Sequence, residues 1–194
     1  MIATADKGKL MKHGHLVHSY LPSPVGTLLL TGDGEAITGL YTCEHVRLPT
    51  EIGERSDAAF TAAREQLGEY FAGDRTRFEL PLAPAGTEFQ HRVWQRLLAI
   101  ELGSVRTYAQ LAIELGNPKA ARAVGLANGR NPISIVVPCH RLLGSDGTLT
   151  GYAGGLPTKQ WLLSHERRVA GQPQPTAAGS RPQPSGTEPP TRVN

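Results

Sequence analysis

The sequence has few cysteines and no long apolar run, and each shortage excludes a class of protein. Cys43 and Cys139 are the only cysteines among 194 residues, which predicts neither a disulfide framework nor a cysteine-rich zinc site. No apolar run approaches the roughly 20 residues of a membrane helix, and residues 1–13 lack the apolar centre of a secretion signal. We therefore expect a cytoplasmic protein with no membrane partner. The net charge of +3 permits a polyanionic partner without requiring one.

The composition changes along the chain in a way that predicts two small domains of an α+β protein. We expect a disordered leader over residues 1–13, an α/β domain over 14–82 and a mainly helical domain over 87–169. Pro81 and Pro84 mark the linker between the domains. Residues 170–194 are rich in Pro, Gly, Ser, Thr and Gln, and they carry too little apolar surface to order themselves. We therefore predict a disordered tail.

The first domain begins with three strand-like runs, LVHSYL, VGTLLLTG and AITGLYT. The Gly32-Asp33-Gly34 turn predicts that the second and third runs form a hairpin. Residues 44–56 are mostly polar and are predicted to form a loop. Residues 57–72 have the periodicity of an amphipathic helix, with Asp57 as its N-cap and Gly73 as its C-terminal stop.

Two consecutive helices in the second domain have the spacing of a helix-turn-helix. A helix from Thr87 to about Ile100 precedes them. The pair itself spans residues 108–115, after the capping Thr107, and residues 119–128, with Gly116-Asn117-Pro118 as the turn. Such hairpins are common in proteins that never touch DNA, so the motif alone does not identify a DNA-binding protein.

The content of the second helix of the pair is unusual for a helix that reads bases. Arg122 is its one long charged side chain in the middle of a run of small residues: Ala120, Ala121, Ala123, Val124, Gly125 and Ala127. A surface of small residues lets a helix approach the minor groove closely, and one protruding arginine can enter the base stack. The alternative is that these residues pack against the protein's own core.

Cys139 follows the apolar run Ile135–Val137, which is predicted to be a short buried strand that Pro138 ends. The neighbouring His140 and Arg141 would favour the thiolate, the nucleophilic form of cysteine. The alternative is a structural cysteine in the core. Together with Arg122, a reactive thiol indicates chemistry on a base that has been taken out of the duplex.

From about Thr87 to Glu166 the sequence resembles the O6-alkylguanine-DNA alkyltransferases (methylated-DNA–protein-cysteine methyltransferases). The matching segments are, in order, FQHRVWQRL, TYAQLA, GNPKAARAVG, NGRNP, IVVPCHR, TGYAGG and KQWLLSHE. The N-terminal half resembles only the pattern of the family's small ribonuclease-H-like α/β domain. The resemblance implies irreversible transfer of the alkyl group from a flipped-out O6-alkylguanine to the protein, so that each molecule repairs one lesion.

The resemblance also implies a catalytic role for five residues. Cys139 would accept the alkyl group, His140 would take the thiol proton through a bound water, and Glu166 would orient His140. Tyr108 would help to rotate the nucleotide and would protonate the departing guanine. Asn131 would brace the recognition helix against the cysteine segment.

The implied partner is double-stranded DNA, contacted through its minor groove by a monomer whose binding could be cooperative. Arg122 would hold the duplex open. The further DNA contacts would come from Tyr108, Asn117, Ala123, Gly125 and Ser145, and the base pocket from Tyr152, Gly154, Gly155 and Lys159. No cofactor and no metal are implied. We expect His91 and His165 on the surface and Trp94 and Trp161 in the core.

Two departures from the family pattern and two other functions complete the interpretation. Leu142 stands where the family usually has Val, and Ala153 where some members carry a Ser that could bind the base. A cysteine hydrolase using Cys139 with His140 and Glu166 is one alternative. The other is a sequence-tolerant DNA-binding module or alkylation sensor without repair turnover.

Overall fold

The computed structural model describes residues 15–42 and 44–172 of the chain. The predicted leader at residues 1–13, Cys43 and the tail from residue 173 onward lie outside the described residues. Within the described part, no helix is both long enough and apolar enough to cross a membrane.

The N-terminal half is built on a four-stranded sheet in the order β3-β2-β1-β4. Its strands are β1 (Val17–Leu21), β2 (Leu28–Gly32), β3 (Ile37–Thr42) and β4 (Glu54–Arg55). The hairpin between β2 and β3 is confirmed. The prediction that residues 44–56 are only a loop is wrong, because β4 pairs in parallel with β1. A strand of two residues is too short to leave a periodic signal in the sequence.

The first long helix, α1 (Thr61–Ala72), packs on this sheet with Phe60, Ala63, Leu67 and Tyr70 buried. A 3-10 turn, Ala58–Phe60, precedes it. The predicted N-cap role of Asp57 is wrong, because its carboxylate accepts a hydrogen bond from Ser19 Oγ (2.6 Å) and pairs with Arg55 instead. Gly73 ends α1 in the left-handed conformation, as predicted (φ +94°).

The other edge of the sheet joins the two halves of the protein. Ile37 N–H donates to Pro81 O and Ala83 N–H donates to Ile37 O, both at 2.9 Å, so the predicted linker is bonded to β3. Further along β3, Leu40 exchanges main-chain hydrogen bonds with Pro132 and Ser134, also at 2.9 Å. The main chain just before the Cys139 segment is therefore attached directly to the N-terminal sheet.

The second half contains α2 (Glu88–Leu98), α3 (Tyr108–Glu114), α4 (Ala121–Asn128) and α5 (Leu156–Val169). Two short parallel strands, β5 (Arg106–Thr107) and β6 (Leu142–Leu143), lie among them. Helix α4 begins later than predicted because a 3-10 turn over Pro118–Ala120 follows the Asn117 cap. Trp94 is fully buried, as expected, and its Nε1 donates to Ala127 O (3.0 Å), which joins α2 to α4.

The predicted strand at Ile135–Val137 is wrong, since this segment is a buried turn. Val137 N–H donates to Ile133 O (3.0 Å), and Ile135 has a left-handed backbone (φ +69°) that a β-branched residue rarely adopts. A short apolar run indicates burial, but it does not distinguish a buried strand from a buried turn. The turn leads into a 3-10 helix over Cys139–Arg141.

The N-cap of α2 generates a stability prediction. Thr87 Oγ1 accepts from Gln90 N–H, and Gln90 Oε1 accepts from Thr87 N–H. We expect Thr87→Ala to lower the free energy of unfolding by about 1 kcal/mol, because the Gln90 N–H loses the Oγ1 acceptor of the capping box. Urea unfolding measures the loss. Thr87→Ser keeps the oxygen and is the control; an equal loss in both variants would contradict the capping explanation.

Candidate active site

Cys139 is the first residue of the 3-10 helix, and its side chain is buried, with 4% of its surface exposed. Its N–H donates to Val137 O (2.8 Å), and its carbonyl accepts from Asn128 Nδ2 (3.3 Å) at the end of α4. On a strand the adjacent side chains of Cys139 and His140 would point to opposite faces of the sheet, and the 3-10 backbone does not impose this separation. The main chain of Cys139 is therefore held by the preceding turn and by the end of α4.

Asn131 holds the turn that precedes Cys139. Its Nδ2 donates to Val137 O (2.9 Å) and Ile133 O (3.3 Å), and its Oδ1 accepts from Ile133 N–H (3.0 Å). The side chain thus satisfies main-chain groups of the turn that β3 does not reach. These side-chain bonds run within the turn, and the implied role of Asn131 as a brace between the second helix of the pair and the cysteine segment stays a prediction.

The fully buried Glu166 carboxylate, on α5, accepts hydrogen bonds from five donor groups. Oε1 accepts from His140 Nε2 (2.8 Å), Arg141 Nη2 (2.8 Å) and the Tyr70 hydroxyl (2.9 Å). Oε2 accepts from Arg141 Nε (2.8 Å) and Gly103 N–H (3.3 Å). Such a complete set of donors is what a buried carboxylate needs in order to stay charged.

The electrostatics of Glu166 and His140 follow from this arrangement. Burial alone would raise the pKa of Glu166, but the bonds to His140 and Arg141 hold it well below its usual range. Burial lowers the pKa of His140, and the Glu166 charge only partly opposes this. Since Nε2 donates to Glu166, Nδ1 of the neutral ring is the acceptor, and no group of the described residues donates to it. The imidazole can therefore act as a base through Nδ1.

The expectation that His140 and Arg141 favour the Cys139 thiolate is wrong. Both side chains point to Glu166, and burial raises the pKa of the thiol. A hydrogen bond from Asn131 and the charge of Lys159 act in the opposite direction. With its pKa raised, Cys139 is a protonated thiol at neutral pH, and forming its thiolate would require a base.

Lys159 is fully buried, whereas the lysine side chains of most proteins lie at the surface. Its Nζ donates to the carbonyls of Leu142 and Thr150. Burial lowers the pKa of Lys159 to about 8. The side chain thus ties α5 to β6 and to the loop that follows it, and it places a cation near Cys139.

Tyrosines line the space next to the thiol. The Tyr152 ring lies edge-to-face against His140, with 6.5 Å between ring centroids. The Tyr108 hydroxyl donates to Thr150 O (3.3 Å), and burial raises the pKa of this phenol. Both hydroxyl-bearing rings therefore stand beside the Cys139–His140 pair.

The glycines after Tyr152 let the N-terminal domain approach the site. A Cβ at Gly154 would lie 2.5 Å from Thr42 Oγ1, so only glycine fits against the end of β3. Gly155 has a left-handed backbone (φ +84°) at the start of α5. Val46 N–H donates to Ala153 O (3.0 Å), which fixes the same loop from the N-terminal side.

The residues expected to contact DNA lie on or near the helix-turn-helix. Arg122 and Ala123 are exposed on α4, and Gly125 lies over the Tyr108 ring, where an added Cβ would sit 3.7 Å from the ring. Asn117 is exposed, but its side chain already accepts from the N–H two residues later. Ser145 is exposed in the turn after β6.

Tyr70 is the site residue that the sequence reasoning missed. Its place in the apolar periodicity of residues 57–72 predicts a core position. The one signal in the sequence is that the hydroxyl of a buried tyrosine needs a hydrogen-bond partner.

The expectation of a surface position for His165 is also wrong. This ring is buried, stacks on Trp161 (5.0 Å between centroids) and donates from Nε2 to Tyr70 O (2.8 Å).

Among the described residues no three or more His, Cys, Asp and Glu side chains are grouped so that they could hold a metal ion. Cys43, one of the two cysteines from which no cysteine-rich zinc site was predicted, is outside the described part.

Comparison with known sequences identifies both halves of the chain. Residues 16–84 match the ribonuclease-like domain of 6-O-methylguanine DNA methyltransferase, and residues 88–168 match its DNA binding domain. The chain belongs to the 6-O-methylguanine DNA methyltransferase family. The resemblance found from the motifs is therefore confirmed, as is the α+β fold with a ribonuclease-like domain followed by a helical DNA-binding domain.

Individual relatives cover most of the chain. A methylated-DNA–protein-cysteine methyltransferase of Mycolicibacterium paratuberculosis is 51% identical over 147 residues, 75% of this chain and 89% of that protein. One from Haemophilus influenzae is 46% identical over 155 residues, 78% of this chain and 87% of that protein. The crystal structure of Mycobacterium tuberculosis OGT in complex with DNA superposes with a TM-score of 0.76 and 45% identity, covering 79% of this chain and 94% of that one.

The buried Glu166 cluster generates a prediction for Glu166→Gln. We expect this variant to unfold more easily by at least about 3 kcal/mol, because the Arg141 guanidinium loses its buried counter-charge. Because the pKa of Glu166 is lower in the native protein than its ordinary value of 4.5, the ionised carboxylate stabilises the native protein at pH values above 4.5. Wild-type stability should therefore decrease as pH falls below 4.5, and the variant should lose less over that range.

Urea unfolding at several pH values measures both effects. The control is Glu101→Gln, which removes an exposed carboxylate. Equal effects of the two substitutions would contradict the role assigned to the buried cluster.

Proposed function

We propose that this protein repairs O6-alkylguanine in double-stranded DNA by transferring the alkyl group irreversibly to Cys139. The observation that carries the proposal is a buried thiol adjacent in the chain to an imidazole, whose other ring nitrogen is fixed by a buried carboxylate. The family membership supports this reaction, and the DNA in the related Mycobacterium tuberculosis structure supports the partner.

The first step is activation of the thiol. His140 Nδ1 takes the Cys139 proton through a bridging water, and Glu166 stabilises the imidazolium that results. This step is necessary because burial keeps the thiol protonated at rest. It also limits reaction with other electrophiles, since an unactivated buried thiol is a poor nucleophile.

The second step is displacement at the alkyl carbon. The Cys139 sulfur forms a bond to that carbon, the bond from the carbon to guanine O6 breaks, and its electron pair stays on the guanine. The Tyr108 hydroxyl, which keeps its proton at neutral pH, supplies the proton that the leaving guanine takes up, and the resulting tyrosinate regains a proton from solvent. Holding sulfur and carbon in line provides much of the acceleration. The product is a thioether without a good leaving group, so each protein molecule reacts once.

Access to the alkyl group requires that the guanine leaves the base stack. The exposed Arg122 on α4 would occupy the space that the base leaves, while Ala123 and Gly125 let the helix lie close in the minor groove. Asn117 and Ser145 would contact the flanking backbone. Binding that depends on phosphate contacts should weaken with salt and show little sequence preference.

The extruded base would lie between Tyr152 and the Gly154–Gly155 backbone, next to Cys139. Lys159 would support this pocket from behind, because its ammonium group is bonded to two carbonyls of the pocket wall. All these groups come from one chain, so a monomer contains a complete site, and no cofactor is required by the displacement.

We expect one methyl group on Cys139 after the protein is mixed with a duplex that carries a single O6-methylguanine. Intact-mass and peptide mass spectrometry should show the modification saturating at one per protein, with the lesion lost from the DNA. Cys139→Ser should bind the duplex and leave the lesion in place. A wild-type protein that binds but is never methylated would instead indicate the binding-module or sensor alternative, and repeated turnover would indicate a conventional enzyme.

We expect Arg122→Ala to slow methyl transfer from duplex DNA by about 100-fold or more, because the extruded state loses the side chain that fills the stack. The melting temperature should not change, since the side chain is exposed. Single-turnover transfer with excess protein measures the rate. Arg96→Ala, an exposed arginine on α2, is the matched control, and an equal loss in both variants would assign Arg122 only a general charge effect.

A further inference from the structure

Tyr70 belongs to α1 of the N-terminal domain, yet its hydroxyl reaches the centre of the site. It donates to Glu166 Oε1 (2.9 Å), the same oxygen that accepts from His140 Nε2 (2.8 Å). The hydroxyl therefore shares its acceptor atom with His140, the base of the proposed reaction. This inference rests on the proposed function and concerns what the N-terminal domain adds to it.

The position of the Tyr70 hydroxyl is fixed from several sides. Its ring packs against those of Phe71, Phe78 and His165, each with 5.3 Å between centroids. Its main-chain carbonyl accepts from His165 Nε2 (2.8 Å). Two consecutive residues of α5, His165 and Glu166, thus bind the main chain and the side chain of a single residue of α1.

Tyr70 can act only as a donor in this arrangement. Burial, together with the Glu166 charge, holds the pKa of the phenol well above its ordinary value, so the hydroxyl keeps its proton. An ionised carboxylate oxygen can only accept. Each donor on Oε1 withdraws some of the charge with which that oxygen attracts the His140 proton, so the Tyr70 and His140 bonds compete.

We propose that Tyr70 is a positioning residue through which the N-terminal domain sets the strength of the Glu166–His140 hydrogen bond, and with it the readiness of His140 to take the Cys139 proton. Too strong a pull from Glu166 would keep His140 protonated and unable to act as a base. Too weak a pull would leave the imidazolium unsupported during transfer. The Tyr70 hydroxyl adjusts this balance without touching the DNA or the thiol.

The other charged and titratable groups near the Cys139, His140 and Glu166 side chains come from four parts of the fold. None of them is altered by a substitution at position 70. They are Cys139 and Arg141 in the 3-10 helix, Lys159 and His165 on α5, Tyr152 in the loop before α5, and Tyr108 on α3.

The test is the pH dependence of single-turnover methyl transfer, with protein in excess over O6-methylguanine duplex, for wild type and Tyr70→Phe. Removal of the hydroxyl strengthens the pull of Glu166 on the His140 proton and so raises the pKa of His140. The acid limb of the rate profile should move to higher pH by about half a unit, which slows transfer about threefold on that limb. The high-pH plateau should change less.

A second replacement has the opposite expected sign. A ring-fluorinated tyrosine at position 70 keeps the ring and the hydroxyl but is a stronger donor, so the acid limb should move to lower pH. A purely structural role for Tyr70 does not produce shifts of opposite sign. The fluorinated protein also keeps the test informative if Tyr70→Phe does not fold.

Tyr41→Phe is the matched control, because it removes the hydroxyl of another buried N-terminal tyrosine that does not contact Glu166. Its acid limb should coincide with that of wild type. Equal acid limbs for wild type and both position-70 proteins, whatever their melting temperatures, would overturn the inference while the proposed function stands. A wild-type protein that never methylates Cys139 would overturn the proposed function, and this inference with it, before any variant is compared.

Discussion

The buried carboxylate of Glu166 is the group on which the rest of the site depends. A charge without solvent is costly, and it persists here because His140, Arg141, Tyr70 and the Gly103 N–H all donate to it. Those donors come from α1, from the segment after α2 and from the 3-10 helix of Cys139. Satisfying one carboxylate therefore aligns three separate parts of the chain around the thiol.

This arrangement also explains why the residues next to Cys139 in the chain do not lower the pKa of its thiol. Arg141 lies two residues from Cys139 in the sequence, but its guanidinium pairs with Glu166. Burial keeps the Cys139 thiol protonated. In the proposed reaction the thiolate forms when His140 takes the proton through Nδ1, which has no hydrogen-bond partner among the described residues. In this proposal, formation of the thiolate depends on the positions of His140 and Glu166 in the folded protein, and an unfolded chain would not hold these groups together.

The N-terminal domain takes part in the site more than its separate fold suggests. The edge of β3 bonds to the segment that leads to Cys139, and Val46 and Thr42 contact the loop of Tyr152. Tyr70 then reaches Glu166 from α1. Since these contacts are main-chain bonds or buried hydroxyls, they are specific in position, and the two domains act as one support for the thiol.

The sequence by itself determined the local features of this protein. Capping residues such as Thr87 and Thr107, the Gly73 stop and the ordered motifs around Cys139 depend on neighbours within a few residues, so pattern alone predicted the helices, the helix-turn-helix and the family. Only the tertiary structure decided which groups meet. The Ile135 turn, the raised pKa of Cys139 and the Tyr70–Glu166 bond, between residues 96 positions apart, each depend on burial and on partners distant in the chain. No local pattern carries that information, because the periodicity that marks a side chain as buried does not say what it will touch.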